Sequence, residues 1–249
     1  MGMTFSWVGR SLATALTRQR HVHRANPLYS EATLLACLQP GDVLLVEGNN
    51  RVGSVIKYLT QSTWSHSALY VGDYLQGGDA FIEADIVEGV RSVGFGEFVG
   101  MHTRICRPIG LSQADARKVC EFAINRLGSQ YDLRNVVDLA RYFLPGIPIP
   151  ARFRRQFLAI GSGDPTRAIC STLIAQAFQL IHYPILPSVS VQDRGNPDCP
   201  GCVEEVYKVR HHSLFTPRDF DVSPYFRIVK ALDSGDFDYK SLQWKDDAA

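Results

Sequence analysis

Several features that would place a chain quickly are missing here. Six cysteines in 249 residues (Cys37, Cys106, Cys120, Cys170, Cys199 and Cys202) make no disulfide-framework spacing, so the thiols are read as mostly reduced. Formal net charge is +1, and no global field points to nucleic acid or to an acidic partner. No run reaches the roughly 18 apolar residues that a membrane helix needs. There is no internal repeat and no low-complexity segment. The Gly-rich stretches "GSGDP" and "QGGDA" lack the Lys-Ser/Thr of a phosphate loop and read as turns. The N-terminus lacks the apolar core and cleavage site of a secretory signal. The expected location is therefore cytoplasmic, or exported without a standard signal peptide, with no transmembrane segment.

The composition, 45% hydrophobic and 20% charged, suits a globular domain with extensions. Residues 1–30 read as a basic extension, with Arg10, Arg18, Arg20 and Arg24 and no acid before Glu31. Phe5, Trp7, Val8, Leu12 and Leu16 give it a helical apolar side. A surface helix is favoured over a membrane-surface helix, and weak membrane contact stays open as its partner reading. "MGMTFS" also fits the myristoylation pattern, which is short enough to recur by chance. Residues 31–232 carry the domain, and 233–249 read as a polar tail that frays.

Within the domain, "SEATLLACLQ" is a short helix stopped by Pro40-Gly41. "DVLLVEG", "HSALYVGD", "AFIEADI", "GVRSVGF" and "HTRICRP" read as strands, with "SVIKYLTQSTW" a helix or turn between the first two. Strands this short and close suggest an antiparallel meander and an α+β fold, not βαβ units. "LSQADARKVCEFAINRLG" is a helix capped by Ser112 with Asp115. Its buried face is Ala116, Val119, Cys120, Ala123 and Leu127, which makes Cys120 a core thiol. "LRNVVDLARYFL" is a second helix. Arg152, Arg154 and Arg155 form a basic knot in the connection after it, read as solvated. "CSTLIAQAFQLI" is a third helix, and "SLFTPRDFDVSPYFRIVK" reads as turns leading to an edge strand.

Cys170 stands in the first turn of that third helix. Unpaired N–H groups and the helix dipole favour a thiolate there. A nucleophilic thiol needs a base, and the base needs an orienting group. His66 opens the strand "HSALYVG" and is the best base of the seven histidines. Its strand parity places His66, Ala68 and Tyr70 on one face and Ser67, Leu69 and Val71 on the other. Glu83 lies inside an apolar strand, where a carboxylate needs a partner. Asp85 and Glu88 are weaker candidates for the same role. Taken singly, Cys170 and His66 are each better read as structural; together with Glu83 they suggest a triad.

The residues "GDVLL", "WSHSALYVG", "FIEA" followed by "GV", "GSQYD" and "CSTLIAQAF", in that order, resemble the permuted branch of the NlpC/p60 papain-like superfamily. The group most similar is the YiiX/YebB-like one, and "TPRDFDVSPYF" also looks like a feature of it. His66 precedes Cys170, the order that marks the circular permutation. The resemblance implies an α+β, circularly permuted papain-like fold, a small antiparallel sheet packed on helices. It implies a Cys-His-Glu arrangement on Cys170, His66 and Glu83, with Tyr131 and Asp132 close by. Ser65, next to His66, joins them as a candidate substrate contact.

The expected activity is that of a cysteine hydrolase with a covalent acyl-enzyme, an amidase or peptidase favoured. A lipid-directed acyltransferase or thioesterase on the same dyad is the alternative, and an inactive binding module the third reading. Expected substrates are a peptide, a cell-wall peptide or a lipid, with no nucleic acid and no metal or organic cofactor. Cys199 and Cys202, with His211 and His212, resemble half a zinc site, but the spacing matches no known pattern. Surface-loop cysteines are the favoured reading of that pair.

Overall fold

The structure, a computed structural model, describes residues 31–48, 50–78, 80–85, 88–130, 169–193 and 203–230. The basic extension, Tyr131, Asp132, the helix read at "LRNVVDLARYFL", the arginine knot, Cys199, Cys202 and the polar tail lie outside the described residues. The chain runs α1 (Glu31–Cys37), β1 (Val43–Val46), α2 (Arg51–Thr60), β2 (His66–Gly72), β3 (Ala80–Asp85) and β4 (Gly89–Gly94). A 3₁₀ turn (Phe95–Phe98) leads to β5 (Thr103–Pro108) and α3 (Gln113–Ile124). Then come α4 (Ile169–Leu180), β6 (Ser188–Asp193), β7 (Val203–Lys208), α5 (Pro217–Asp221) and β8 (Phe226–Val229).

The main sheet is antiparallel throughout, in the order β4-β3-β2-β1-β5-β8. The expected meander holds from β1 to β4 and then breaks, because β5 pairs with β1 instead of β4. Phe95 and Phe98 explain the crossing. They are 6% and 3% exposed and pack their rings on Phe81, at 6.2 and 5.3 Å between centroids. Burying those rings carries the chain across the sheet face and delivers β5 to the far side. A second, two-stranded sheet of β6 and β7 was not expected from the sequence.

The period-two alternation of the central strands fills two cores instead of one. Val43, Leu45, Leu69, Val71, Ile82 and Ala84 pack against α3 and α4, through Val119, Ala123, Leu173, Ile174 and Phe178. Leu44, Val46, Ala68, Tyr70 and Phe81 meet the 3₁₀ turn and α1 on the other face. A fully buried side chain of this size contributes about 1.5–3 kcal/mol, so α4 is fixed on the sheet along its whole apolar side. Ser112 caps α3 as expected, its hydroxyl accepting from the Asp115 N–H at 3.1 Å. Among the described residues, no helix is long and apolar enough to cross a membrane.

Candidate active site

Trp64 fixes the approach to the site. It is 2% exposed, and its indole Nε1–H donates to Asp221 of α5 at 3.0 Å. Asp221 is also held by Arg104 Nη1 at 2.5 Å. The helix carrying Asp221 starts with a capping box in which Asp219 accepts from the N–H and hydroxyl of Thr216. The motifs "WSH" and "TPRDFD" thus meet, and together they set where β2 begins. Ser65 is 4% exposed, and its hydroxyl accepts from the Gly48 N–H at 2.8 Å. That contact braces the loop leading into α2.

His66 follows at the first position of β2. Even-numbered residues of β2 turn their N–H groups toward β1, as Tyr70 does to the Asp42 carbonyl. Ser67 therefore turns its N–H toward β3. The pairing of β2 with β3 is registered only between Leu69–Gly72 and Ala80–Ile82. At Ser67 no β2–β3 pair is registered, and Cys170 in the first turn of α4 stands against this residue. Cys170 there accepts hydrogen bonds from the Ser67 hydroxyl and N–H and is hydrogen-bonded to His66. Ser67 and Ser171, both fully buried, share a bond between their hydroxyls at 3.1 Å.

Glu83 completes the contact chain. It is 3% exposed, and its Oε2 lies 2.7 Å from Nε2 of His66. His66 also interacts with Cys170. The other carboxylate oxygen, Oε1, accepts from Arg91 Nε at 2.8 Å and Nη2 at 2.7 Å. The structure brings together Cys170, His66 and Glu83, and the weaker candidates make hydrogen bonds elsewhere on the turn. Asp85 accepts from the Glu88 N–H at 2.8 Å, and Glu88 is turned outward to Arg91.

The electrostatics favour an ion pair. Burial pushes the Cys170 thiol up, but the His66 charge and the hydrogen bonds from His66 and Ser67 overcome it, and its pKa is lowered. Burial pushes His66 down, yet the thiolate and the Glu83 carboxylate raise it well above an ordinary imidazole. Glu83 is likewise lowered, because His66 and Arg91 outweigh its burial. Cys106 and Cys120 provide the contrast. Burial without a cationic partner of this kind pushes both thiols up to about 12.

Sequence reasoning missed Ser67, Ser171 and Arg91. Arg91 could have been found by counting across the hairpin, since it stands directly opposite Glu83. Of the zinc candidates, the His211 and His212 rings stack 4.0 Å apart. No group of three or more His, Cys, Asp or Glu is arranged to hold a metal among the described residues. Residues 128–130 run along the free edge of β4, with Val90 N–H donating to the Ser129 carbonyl and Gly128 N–H to the Val90 carbonyl. The first residues of the "GSQYD" motif, Gly128 to Gln130, therefore lie along β4 next to Arg91.

Residues 37–143 match the family model described as permuted papain-like amidase enzyme, YaeF/YiiX, C92 family. The match contains His66 and Glu83 and ends before Cys170. A similar solved structure is the metalloprotein yiiX from Escherichia coli O157:H7. The two are 17% identical, with 78% of this chain and 97% of that one covered and a TM-score of 0.47. No curated protein matches. The described fold is α+β with a mainly antiparallel sheet, and the family matched over residues 37–143 is the permuted papain-like YaeF/YiiX one that the motifs resemble. The matched family is one of cysteine hydrolases of the amidase type.

Proposed function

We propose that this protein is a cysteine amidase or peptidase in which Cys170 is the nucleophile, His66 the acid–base group and Glu83 its orienting carboxylate. The observation that supports it most is the unbroken contact chain from Glu83 through His66 to Cys170. Cys106 and Cys120 are buried too and have no such chain.

The steps follow from the contacts. The Cys170 thiolate attacks the carbonyl carbon of an amide and forms a tetrahedral oxyanion. N–H groups of the first turn of α4, without partners inside the helix, are donors for that oxyanion. The His66 imidazolium then gives its proton to the leaving nitrogen, the C–N bond breaks, and an acyl-thioester remains on Cys170. Neutral His66 next takes a proton from water, whose oxygen attacks the thioester and releases the acid. Glu83 holds the ring in one orientation and stabilises the imidazolium at each stage.

The test is intact-mass detection of an acyl adduct after incubation with a peptide library and, separately, with a lipid extract. An adduct on Cys170 from an amide donor, absent in Cys170→Ala, is the expected result. An adduct formed only from lipid esters would replace the amidase by the lipid-directed acyltransferase or thioesterase. No adduct from either source, with the thiol intact, would favour a binding module.

A further inference from the structure

The buried carboxylate of Glu83 has two oxygens, and His66 uses one. We propose that Arg91 is a positioning residue of this site. It clamps Oε1 of Glu83, fixes the carboxylate plane so that Oε2 meets the imidazole, and shares the carboxylate's charge. The proposal rests on the Cys170–His66–Glu83 assignment above and extends it by one shell.

The geometry carries it. Arg91 sits directly opposite Glu83 in the β3–β4 register, and two of its nitrogens reach the same carboxylate oxygen, at 2.7 and 2.8 Å. The guanidinium is itself braced from the solvent side. Glu88 Oε2 lies 3.1 Å from Nη1 and Glu97 Oε1 lies 3.3 Å from Nη2. Those two carboxylates are 61% and 50% exposed, against 4% for the Glu83 side chain. An exposed cross-strand ion pair is worth about 0.2–1 kcal/mol and asks nothing of its neighbours. Here the carboxylate is out of water and its second oxygen is committed to a ring that touches the nucleophile. Removing one member of such a buried pair leaves a charge without its partner.

Among the described residues, the charged and titratable groups around the site are His66 from β2, Glu83 and Asp85 from β3, and Arg91 and Glu88 from β4 and its turn. Glu97 comes from the 3₁₀ turn and Cys170 from α4. Arg91 is the permanent cation among them. Taking away a positive charge raises the proton affinity of every neighbour. Without it, the thiolate–imidazolium pair should form at higher pH, and the imidazolium should also lose its proton at higher pH.

The experiment measures the rate of Cys170 alkylation by iodoacetamide from about pH 4 to about pH 10 on the full chain. A thiolate paired with an imidazolium gives two rises, one where the pair forms and one where the ring deprotonates. In Arg91→Met both rises should move to higher pH by roughly half a unit or more. That amounts to a three- to tenfold loss on the low-pH side of the first rise, relative to the variant's own plateau. In Arg91→Lys, which keeps the charge but not the two-nitrogen clamp, the rises should stay close to wild type and the plateau should fall. Thermal unfolding of both variants accounts for any loss of fold. A lower plateau with both rises in place in Arg91→Met, or a wild-type plateau in Arg91→Lys, overturns the proposal. A wild-type protein with no low-pH rise overturns the triad itself, a failure seen before any Arg91 variant is made.

Discussion

Replacing His66 by alanine removes the positive partner of Cys170, and the size of the effect follows from what is left. A thiol with an ordinary pKa of about 8.5 is roughly 0.3% thiolate at pH 6. Cys106 and Cys120, pushed to about 12 by burial, hold about one thiolate in a million there. Cys170 is buried as well, at 5% exposed, yet its shift has the opposite sign because His66 and Ser67 contact it. A fully formed thiolate would carry up to ~300 times the reactive species of an ordinary thiol at that pH. Thiolates of low basicity are also less nucleophilic, with a Brønsted slope of about 0.4–0.5, which returns part of that factor. A pKa drop of about 2.5 units returns roughly 10–18-fold of that ceiling, so His66→Ala should slow alkylation of Cys170 at pH 6 by on the order of tenfold. At pH 9, where an ordinary thiol is mostly ionised, the gap should narrow. Competitive iodoacetamide labelling, read by peptide mass at both pH values, measures this for all six thiols at once. Labelling of Cys37, Cys199 or Cys202 ahead of Cys170 in the wild type would refute the reasoning. An unchanged rate at pH 6 in His66→Ala would do the same.

Glu83→Gln should keep the fold and lower the acylation rate by one to a few orders of magnitude, since an amide can bond the ring but cannot stabilise the imidazolium. Asp85→Asn, measured beside it, should react at close to the wild-type rate, because Asp85 serves a turn N–H while Glu83 holds Nε2 of His66. Gly89→Ala should lower the thermal midpoint markedly. Gly89 has φ +80°, and an added Cβ would meet the Ser129 carbonyl oxygen at 2.3 Å; left-handed strain alone costs about 1–3 kcal/mol. A midpoint equal to wild type would mean that residues 128–130 yield freely at the β4 edge.

Much of this architecture is legible in local pattern. The alternation in "HSALYVG" and "AFIEAD", the Ser112 cap and the apolar side of the Cys170 helix each depend on neighbours within a few residues, and each appears where it was read. The departures depend on distant partners. β5 crosses to β1 because two phenylalanines must cover Phe81, which no local period records. The β6–β7 hairpin was missed because it has little buried pattern to read: Val189 and Val191 are 50% and 62% exposed. Cys170, His66 and Glu83 were legible because each breaks a local rule, a polar or reactive group set at the edge of apolar sequence. Arg91 breaks none. It looks like any strand arginine until the register puts it opposite a buried carboxylate.

The strand parity of β2 poses a problem that the fold has to solve. His66 lies on the face of Ala68 and Tyr70, with the second core, while α4 packs on the opposite face with Leu69 and Val71. In an unbroken sheet the thiol and the imidazole would be kept apart by the backbone between them. The end of registered β2–β3 pairing at Leu69 removes that barrier. It frees the Ser67 N–H, which a continuous ladder would have spent on β3, and gives it to Cys170 instead. It also lets Glu83, on the parity of Phe81 and thus of His66, meet the ring from its own side. The same gap therefore supplies the passage between faces and one of the donors that favours the thiolate. Sheet pairing is given up at the one place where its hydrogen-bonding groups have a reactive sulfur to serve.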